Sequence, residues 1–479
     1  MLSVLAVTVA VHLRILHSYF RSDDFLHLYE LVNRPLFQFL IKPHGGHLFF
    51  SWNVVFWLCH ELFGVRAAGY FAAIVLNHVV NTWLLFRLVE RVSGRPWLAW
   101  AAALVWATAP IHGDVLAWYS NHGQVLLATM VLLVLSSLVA AADRDRPVAV
   151  GQVVGWLLLL VVASTCYGSG LAFALVFPLL AALLLQAPRA AVMVLATLWV
   201  IVPVLFVADH WLWARIGGEG FDVVPSFTPR PSDLGSAASL LLRMLAAGVK
   251  VGQADPLFLP WADPEAPVAL AAFVALVVAA LVAGDRRERR LVVVFLLVAL
   301  ALYGPIAAGR VALARLLVFT GDQAAQARHH YAGPLPLLLA SCVALHVLTR
   351  GRRVGRVAVA GLVVVLAGGW VWRTRHLDLH ETAREETRTT VAAIRDAVAA
   401  APPRADVVLR NRRFQSVGPL APLVVFPGWA AVFTIFFPEN QVDGHRVYFV
   451  EPNPAVRAAA AAGVRSATLL IPPPAGAPG

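Results

Sequence analysis

The feature that most constrains this chain is the recurrence, through its first 375 residues, of apolar stretches long enough to cross a bilayer. A helix needs about 20 mostly apolar residues to span the hydrocarbon core. Such stretches lie at about 2–18, 67–89, 97–110, 118–141, 148–165, 170–186, 190–210, 267–284, 291–309, 333–349 and 357–373, about eleven in all. The chain is 59% hydrophobic and 14% charged, which is membrane composition rather than that of two or three soluble domains. The first stretch resembles a signal-peptide core but lacks a basic start and a small-residue cleavage site, so it reads as a retained helix.

Alternating these spans places the links Glu90–Arg95, Asp143–Pro147, Pro188–Arg189, Asp285–Arg290 and Arg350–Arg356 on one side. They carry most of the clustered arginine, and the positive-inside rule makes that side cytoplasmic. The opposite side receives large loops at 21–65 and 211–267, the Arg310–His330 segment and the tail. The formal net charge of +11 then reads as a topology signal. It does not suggest nucleic-acid binding, because the arginines sit at helix ends and form no basic face with interleaved aromatics. Cys59, Cys166 and Cys342 lie far apart in apolar surroundings, with neither a disulfide framework nor a metal spacing visible.

The expected fold is an all-α polytopic membrane bundle of about 11 transmembrane helices over 1–375, followed by a small extracytoplasmic α/β domain over 376–479. In the tail, Leu377–Ala401 reads as a solvated helix. The runs Asp406–Arg410, Arg446–Val450 and Ala467–Ile471, set apart by Pro and Gly, read as strands. Within the second large loop, Asp233–Lys250 reads as an amphipathic helix on the membrane surface, and the tryptophans around it suit either a sugar face or an interfacial belt.

Candidate chemistry gathers on the outer side. Asp23 and Asp24 stand side by side just beyond the first span, where two carboxylates are costly to desolvate. They suit a general base, a pair holding a divalent cation against a phosphate, or a solvated helix cap. Lys42, His44 and His47 bring a cation and two imidazoles into the same loop, a phosphate-facing cluster or a solvated Gly-rich turn. His112 and Asp114, with Asn121 and His122, mark the junction of the third and fourth spans and either line a shared cavity or cap helices. Arg328, His329 and Tyr331 open the tenth span, as substrate contacts or as interfacial anchors.

Three segments carry a family resemblance. Asp23-Asp24-Phe25, at the start of a long first outer loop, resembles the acidic pair of the GT-C superfamily of polyprenyl-phosphate-dependent glycosyltransferases, which includes the protein O-mannosyltransferases. The segment Leu76-Asn77-His78-Val79-Val80-Asn81-Thr82 is similar to the Asn-His-Asn pattern in the second span of the tetratricopeptide-coupled O-mannosyltransferase branch. The stretch Ala109-Pro110-Ile111-His112-Gly113-Asp114-Val115 resembles that branch's His-Pro-hydrophobic-His-x-Glu-x-Val stretch, with Ala109 in place of the first His and Asp114 in place of the acid. Near the fifth span the branch often has a Lys-Glu pair, where this chain has Cys166-Tyr167-Gly168-Ser169-Gly170.

The resemblance implies a membrane glycosyltransferase that moves a sugar, with inversion, from a polyprenyl-phosphate donor to an acceptor glycan, lipid or protein on the extracytoplasmic face. It makes Asp23 and Asp24 the catalytic carboxylates and, should a divalent cation take part, the residues that would hold it. An Arg-Tyr pair near the donor phosphate in GT-C relatives matches Arg328 and Tyr331. The expected location is a bacterial inner membrane, with the active site and C-terminus outside the cytoplasm. The alternative is a multipass transporter or lipid flippase, which needs charges near the midplane or broken helices in related halves; the spans here gather their polar residues at the outer ends.

Overall fold

The computed structural model describes residues 1–20, 24, 27, 28, 30, 31, 34–44, 47–144, 148–186, 189–216, 230–250, 265–314, 324, 326–350, 352–376, 407–410, 447–449 and 467–470. Helix α1 (Leu2–His12) tightens into a 3-10 turn, Leu13–His17. Helices α2 (Leu36–Leu40) and α3 (Phe50–Phe63) follow in the first loop. The bundle then runs α4 (Ala67–Ser93), α5 (Pro96–Thr108), α6 (His112–Leu116), α7 (His122–Ala142), α8 (Val150–Ser164), α9 (Gly168–Leu184), α10 (Arg189–Leu195), α11 (Leu198–Ile216), α12 (Leu234–Lys250), α13 (Glu265–Ala283), α14 (Arg286–Ala314), α15 (Pro334–Thr349) and α16 (Arg353–His376).

Local chemistry sets the sharp reversal between α4 and α5. Gly94 takes the left-handed conformation at φ 61°, and its N–H bonds the Glu90 carbonyl at 2.8 Å, a conformation that costs glycine no Cβ clash. Pro96 then opens α5, where its missing N–H loses nothing.

Among the described residues, five helical stretches are long and apolar enough to cross a membrane: Ala67–Ser93, Tyr119–Ala142, Arg189–Ile216, Arg286–Ala312 and Gly355–Trp372. The chain is a multi-pass membrane protein on that basis. Shorter apolar helices occupy the other six hydropathy spans. At 1.5 Å per residue the 13 residues of α5 reach only about 20 Å, less than a core of roughly 30 Å, so the described part of this helix is shorter than a full crossing. Apolar side chains on α16 such as Val364, Val365 and Trp372 are exposed, as a lipid-facing surface requires.

The first large loop differs from its expected form. Helix α3 lies inside it and buries Trp52, Asn53, Phe56 and Cys59. Its rings meet Tyr70 on α4 and Tyr119 before α7, with Phe56 centred 5.5 Å from each. Ring packing of this kind adds to the area the rings bury, so α3 is part of the core. The second large loop also begins later than position 211, because α11 continues to Ile216. Helix α12 falls on the expected amphipathic segment and buries Leu240 and Met244.

In the tail, strands β1 (Val407–Arg410), β2 (Val447–Phe449) and β3 (Ala467–Leu470) form a parallel sheet in the order β2-β1-β3. Val407 stands opposite Val447 on one side and Ala467 on the other. The strands coincide with the three runs picked out by sequence. The helix expected over 377–401 lies outside the described residues.

Candidate active site

Asp24 is fully buried. The backbone N–H of Ser120 donates to its Oδ1 at 2.6 Å, and the Ser120 hydroxyl donates to the same oxygen. Ser120 belongs to the 3-10 turn Tyr119–Asn121 that leads into α7, so the carboxylate ties the first loop to the connection between α5 and α7. Two donors on one oxygen orient the carboxylate. Asp23 lies outside the described residues.

Beyond α2 the chain is clipped to α3. Asn53 Nδ2 donates to the carbonyls of Phe39, Leu40 and Lys42 at 2.9, 3.1 and 3.1 Å. This fixes Lys42, whose Nζ lies 3.0 Å from Glu30 Oε1 with both side chains 2% exposed. Arg34 pairs with the same carboxylate. The Lys42 charge is thus matched inside the protein, and breaking such a buried pair would leave an uncompensated ion.

His44 and His47 join through backbone bonds of 3.2 and 3.0 Å, an antiparallel bridge in keeping with the two glycines between them. The His27 ring lies 4.6 Å from His44 and 4.4 Å from Trp52. His47 stacks on Tyr167 at 4.8 Å and 26°, and a Cβ at Gly168 would run into its imidazole. The Cys166–Gly170 segment, read in sequence only as a departure from a family pattern, is thus the floor beneath His47. Burial, then Arg310 and His44, hold the His47 imidazole down to about 3. His27 is pushed well below its usual range by burial, then by His44 and Lys42. Both rings are neutral at pH 7.

A second group sits around Tyr331, which is fully buried. His78 Nδ1 and the Tyr331 hydroxyl lie 2.7 Å apart, and Asn81 Nδ2 donates to that hydroxyl at 3.3 Å and to the Val125 carbonyl at 2.9 Å. His112 packs between Trp106 and Tyr331, with ring centres 4.3 and 4.8 Å away. The backbone of Asp114 lies in α6; its side chain is outside the described residues. Arg328 lies over the Trp118 ring at 5.9 Å, and Gln124 donates to the Arg328 carbonyl. His329 is lowered well below the usual imidazole range by burial, then by Arg310 and Arg328. Neither of its ring nitrogens has a hydrogen-bond partner among the described residues.

Eight of the ten sequence candidates have described side chains, and these cluster at one end of the bundle. Asp24 is held by Ser120, two residues from Trp118, whose ring lies under Arg328, and Arg310 acts electrostatically on both His47 and His329. Asp24 and Lys42 are held by protein partners, whereas His329 and His112 keep ring nitrogens with none among the described residues. Glu30, Asn53, Ser120, Tyr167 and Arg310 were missed by sequence reasoning. His78 and Asn81 entered it as resemblance and not as site residues. No group of three or more His, Cys, Asp or Glu side chains is arranged to hold a metal ion among the described residues.

No family model matches the chain, and no curated protein matches it. Among solved structures it is similar to the oligosaccharyltransferase of Archaeoglobus fulgidus, solved tethered to an acceptor peptide containing an NVT sequon. The likeness covers 95% of this chain and 64% of that one, at 14% identity and a TM-score of 0.40. This chain thus spans less than two thirds of that protein's length, and a likeness at this level assigns neither family nor activity.

Proposed function

We propose that the protein is a membrane glycosyltransferase of the GT-C type, moving one sugar from a polyprenyl-phosphate donor to an acceptor hydroxyl on the extracytoplasmic face. The observation that carries this reading is the pairing, at one end of an apolar bundle, of a buried oriented carboxylate with guanidinium and imidazole groups. Asp24 is fixed by Ser120, and two residues away Trp118 lies under the Arg328 guanidinium.

In this reading Asp23 takes the proton of the acceptor hydroxyl as its oxygen attacks the anomeric carbon. The bond from that carbon to the donor phosphate oxygen breaks, and the lipid phosphate leaves with the electron pair. A single displacement inverts the anomeric centre and needs no protein nucleophile. Asp24 orients Asp23. Arg328 and Arg310, which both act electrostatically on His329, stabilise the leaving phosphate by charge already in place at a dehydrated boundary. Lys42 sets the loop through Glu30. No step here runs through a divalent cation. The bacterial inner membrane and the sugar-accepting glycan, lipid or protein belong to the same proposal.

The test is sugar transfer in membranes from a labelled polyprenyl-phosphate sugar pool, comparing the wild type with Asp23→Asn and Asp24→Asn at matched expression. Loss of transfer in Asp23→Asn, with a smaller loss in Asp24→Asn, supports the roles given. Undiminished transfer in both refutes the site.

One observation favours a second reading as a transporter or lipid flippase. Asn77, His78 and Asn81 build a polar face within α4, a membrane-length helix, where ionisable groups mark transport paths. Lipid or solute movement in proteoliposomes without any sugar transfer would select it.

A further inference from the structure

At the end of the bundle away from Asp24, α5, α15 and α16 enclose a cavity of about 90 Å³ lined by Arg95, Trp97, His346, Thr349, Arg350 and Arg356. Arg95 precedes α5, whose other end leads to His112, and Thr349 ends α15, whose other end follows Tyr331. Helices of 13 and 16 residues separate the two places by about 20 Å. The cavity is therefore no part of the candidate active site.

Its lining is rich in donors and short of acceptors. Glu288 pairs with Arg350 and lies 3.6 Å from His346, which accounts for one arginine. Arg95 and Arg356 have no carboxylate partner among the described residues. The Nε of Arg356 and the indole Nε1 of Trp97 are both buried, and neither has a hydrogen-bond partner among the described residues. Buried N–H groups rarely stay unmatched, so the lining calls for an anion that accepts from both.

We propose that this cavity binds the phosphate of an anionic phospholipid headgroup. Helix α16, which supplies Arg356, presents mostly exposed apolar side chains along its membrane-length part, so the acyl chains have a surface to follow. Trp97 is a residue type that settles at the headgroup level, and basic pockets between membrane helices are suited to such headgroups. The shape separates this site from the other arginines of that face: Arg352 is exposed beside it and forms no part of its lining.

The experiment places the purified protein in phosphatidylcholine nanodiscs with a minority of phosphatidylglycerol and measures retained lipid by native mass spectrometry. The wild type should retain phosphatidylglycerol over phosphatidylcholine. Arg356→Gln and Arg95→Gln should each lower that retention about fivefold, Trp97→Phe should lower it less, and Arg352→Gln should leave it unchanged. Should Arg356→Gln fail to fold, Trp97→Phe and Arg95→Gln decide. Equal retention of both lipids, or an equal loss in Arg352→Gln, overturns the proposal in favour of diffuse surface charge. A second arm adds glycerol phosphate without anionic lipid. Saturable thermal protection that Arg356→Gln abolishes would assign the cavity to a soluble phosphate and overturn the headgroup; its absence supports the lipid.

Discussion

Two ion pairs at opposite ends of the bundle sit in opposite surroundings. At the end holding Asp24, the pair Lys42–Glu30 is 2% exposed on both sides. At the far end, Arg287 and Asp143 meet at 2.6 Å with side chains 43% and 33% exposed. Water screens the second pair and leaves it little net worth. The first was taken out of water at considerable cost, and its survival depends on mutual attraction and on the carbonyls fixed by Asn53. Geometry alone would rank the exposed pair higher, since it is the shorter; burial reverses the order.

The largest effect that could break this contrast is expected from Glu30→Gln, which leaves Lys42 buried without a counter-charge. It should destabilise the protein by about 3–5 kcal/mol, read as a fall in Tm in detergent, and adding Lys42→Met should recover much of the loss. Tyr331→Phe removes the hydroxyl shared by His78 and Asn81 and should cost about 1–3 kcal/mol, again by thermal unfolding.

Next in size is a pH effect. The His47 pKa falls from 6.5 to about 3 on folding, so between those values the unfolded state binds more protons. Its contribution is present above about 6.5 and is lost progressively as pH falls toward about 3. Tm should therefore drop on acidification through this window, and His47→Gln should flatten the drop; an unchanged slope would remove His47 from the account. The smallest effect belongs to Arg287→Gln, at most about 1 kcal/mol and less at high salt. A cost there equal to that of Glu30→Gln would erase the difference between the two ends.

The same contrast explains what could be read from sequence. Spans such as Ala67–Ser93 are legible because hydropathy is a local sum, and the strands at 407–410, 447–449 and 467–470 because short apolar runs between Pro and Gly are local too. Helix α3 was passed over because Ser51, Asn53, His60 and Glu61 interrupt its apolar pattern, yet Asn53 faces three carbonyls and not solvent. Lys42, His44 and His47 were found together because they are neighbours in the chain. Glu30 gave no signal, being a single carboxylate with no spacing to mark it. The hydrogen bond between His78 and Tyr331 spans 253 residues, a separation no local pattern encodes. Gly168 was visible only as a missing family residue; its need to lack a Cβ beneath His47 is set by packing.

The central claim, sugar transfer from a lipid phosphate, is tested most directly with the purified protein in proteoliposomes. The same labelled sugar is offered on a polyprenyl phosphate and, separately, on a nucleotide, with lipid movement followed in parallel. The account predicts transfer from the lipid-linked sugar alone, abolished by Asp23→Asn. Lipid or solute movement with no transfer from any lipid-linked donor would contradict it.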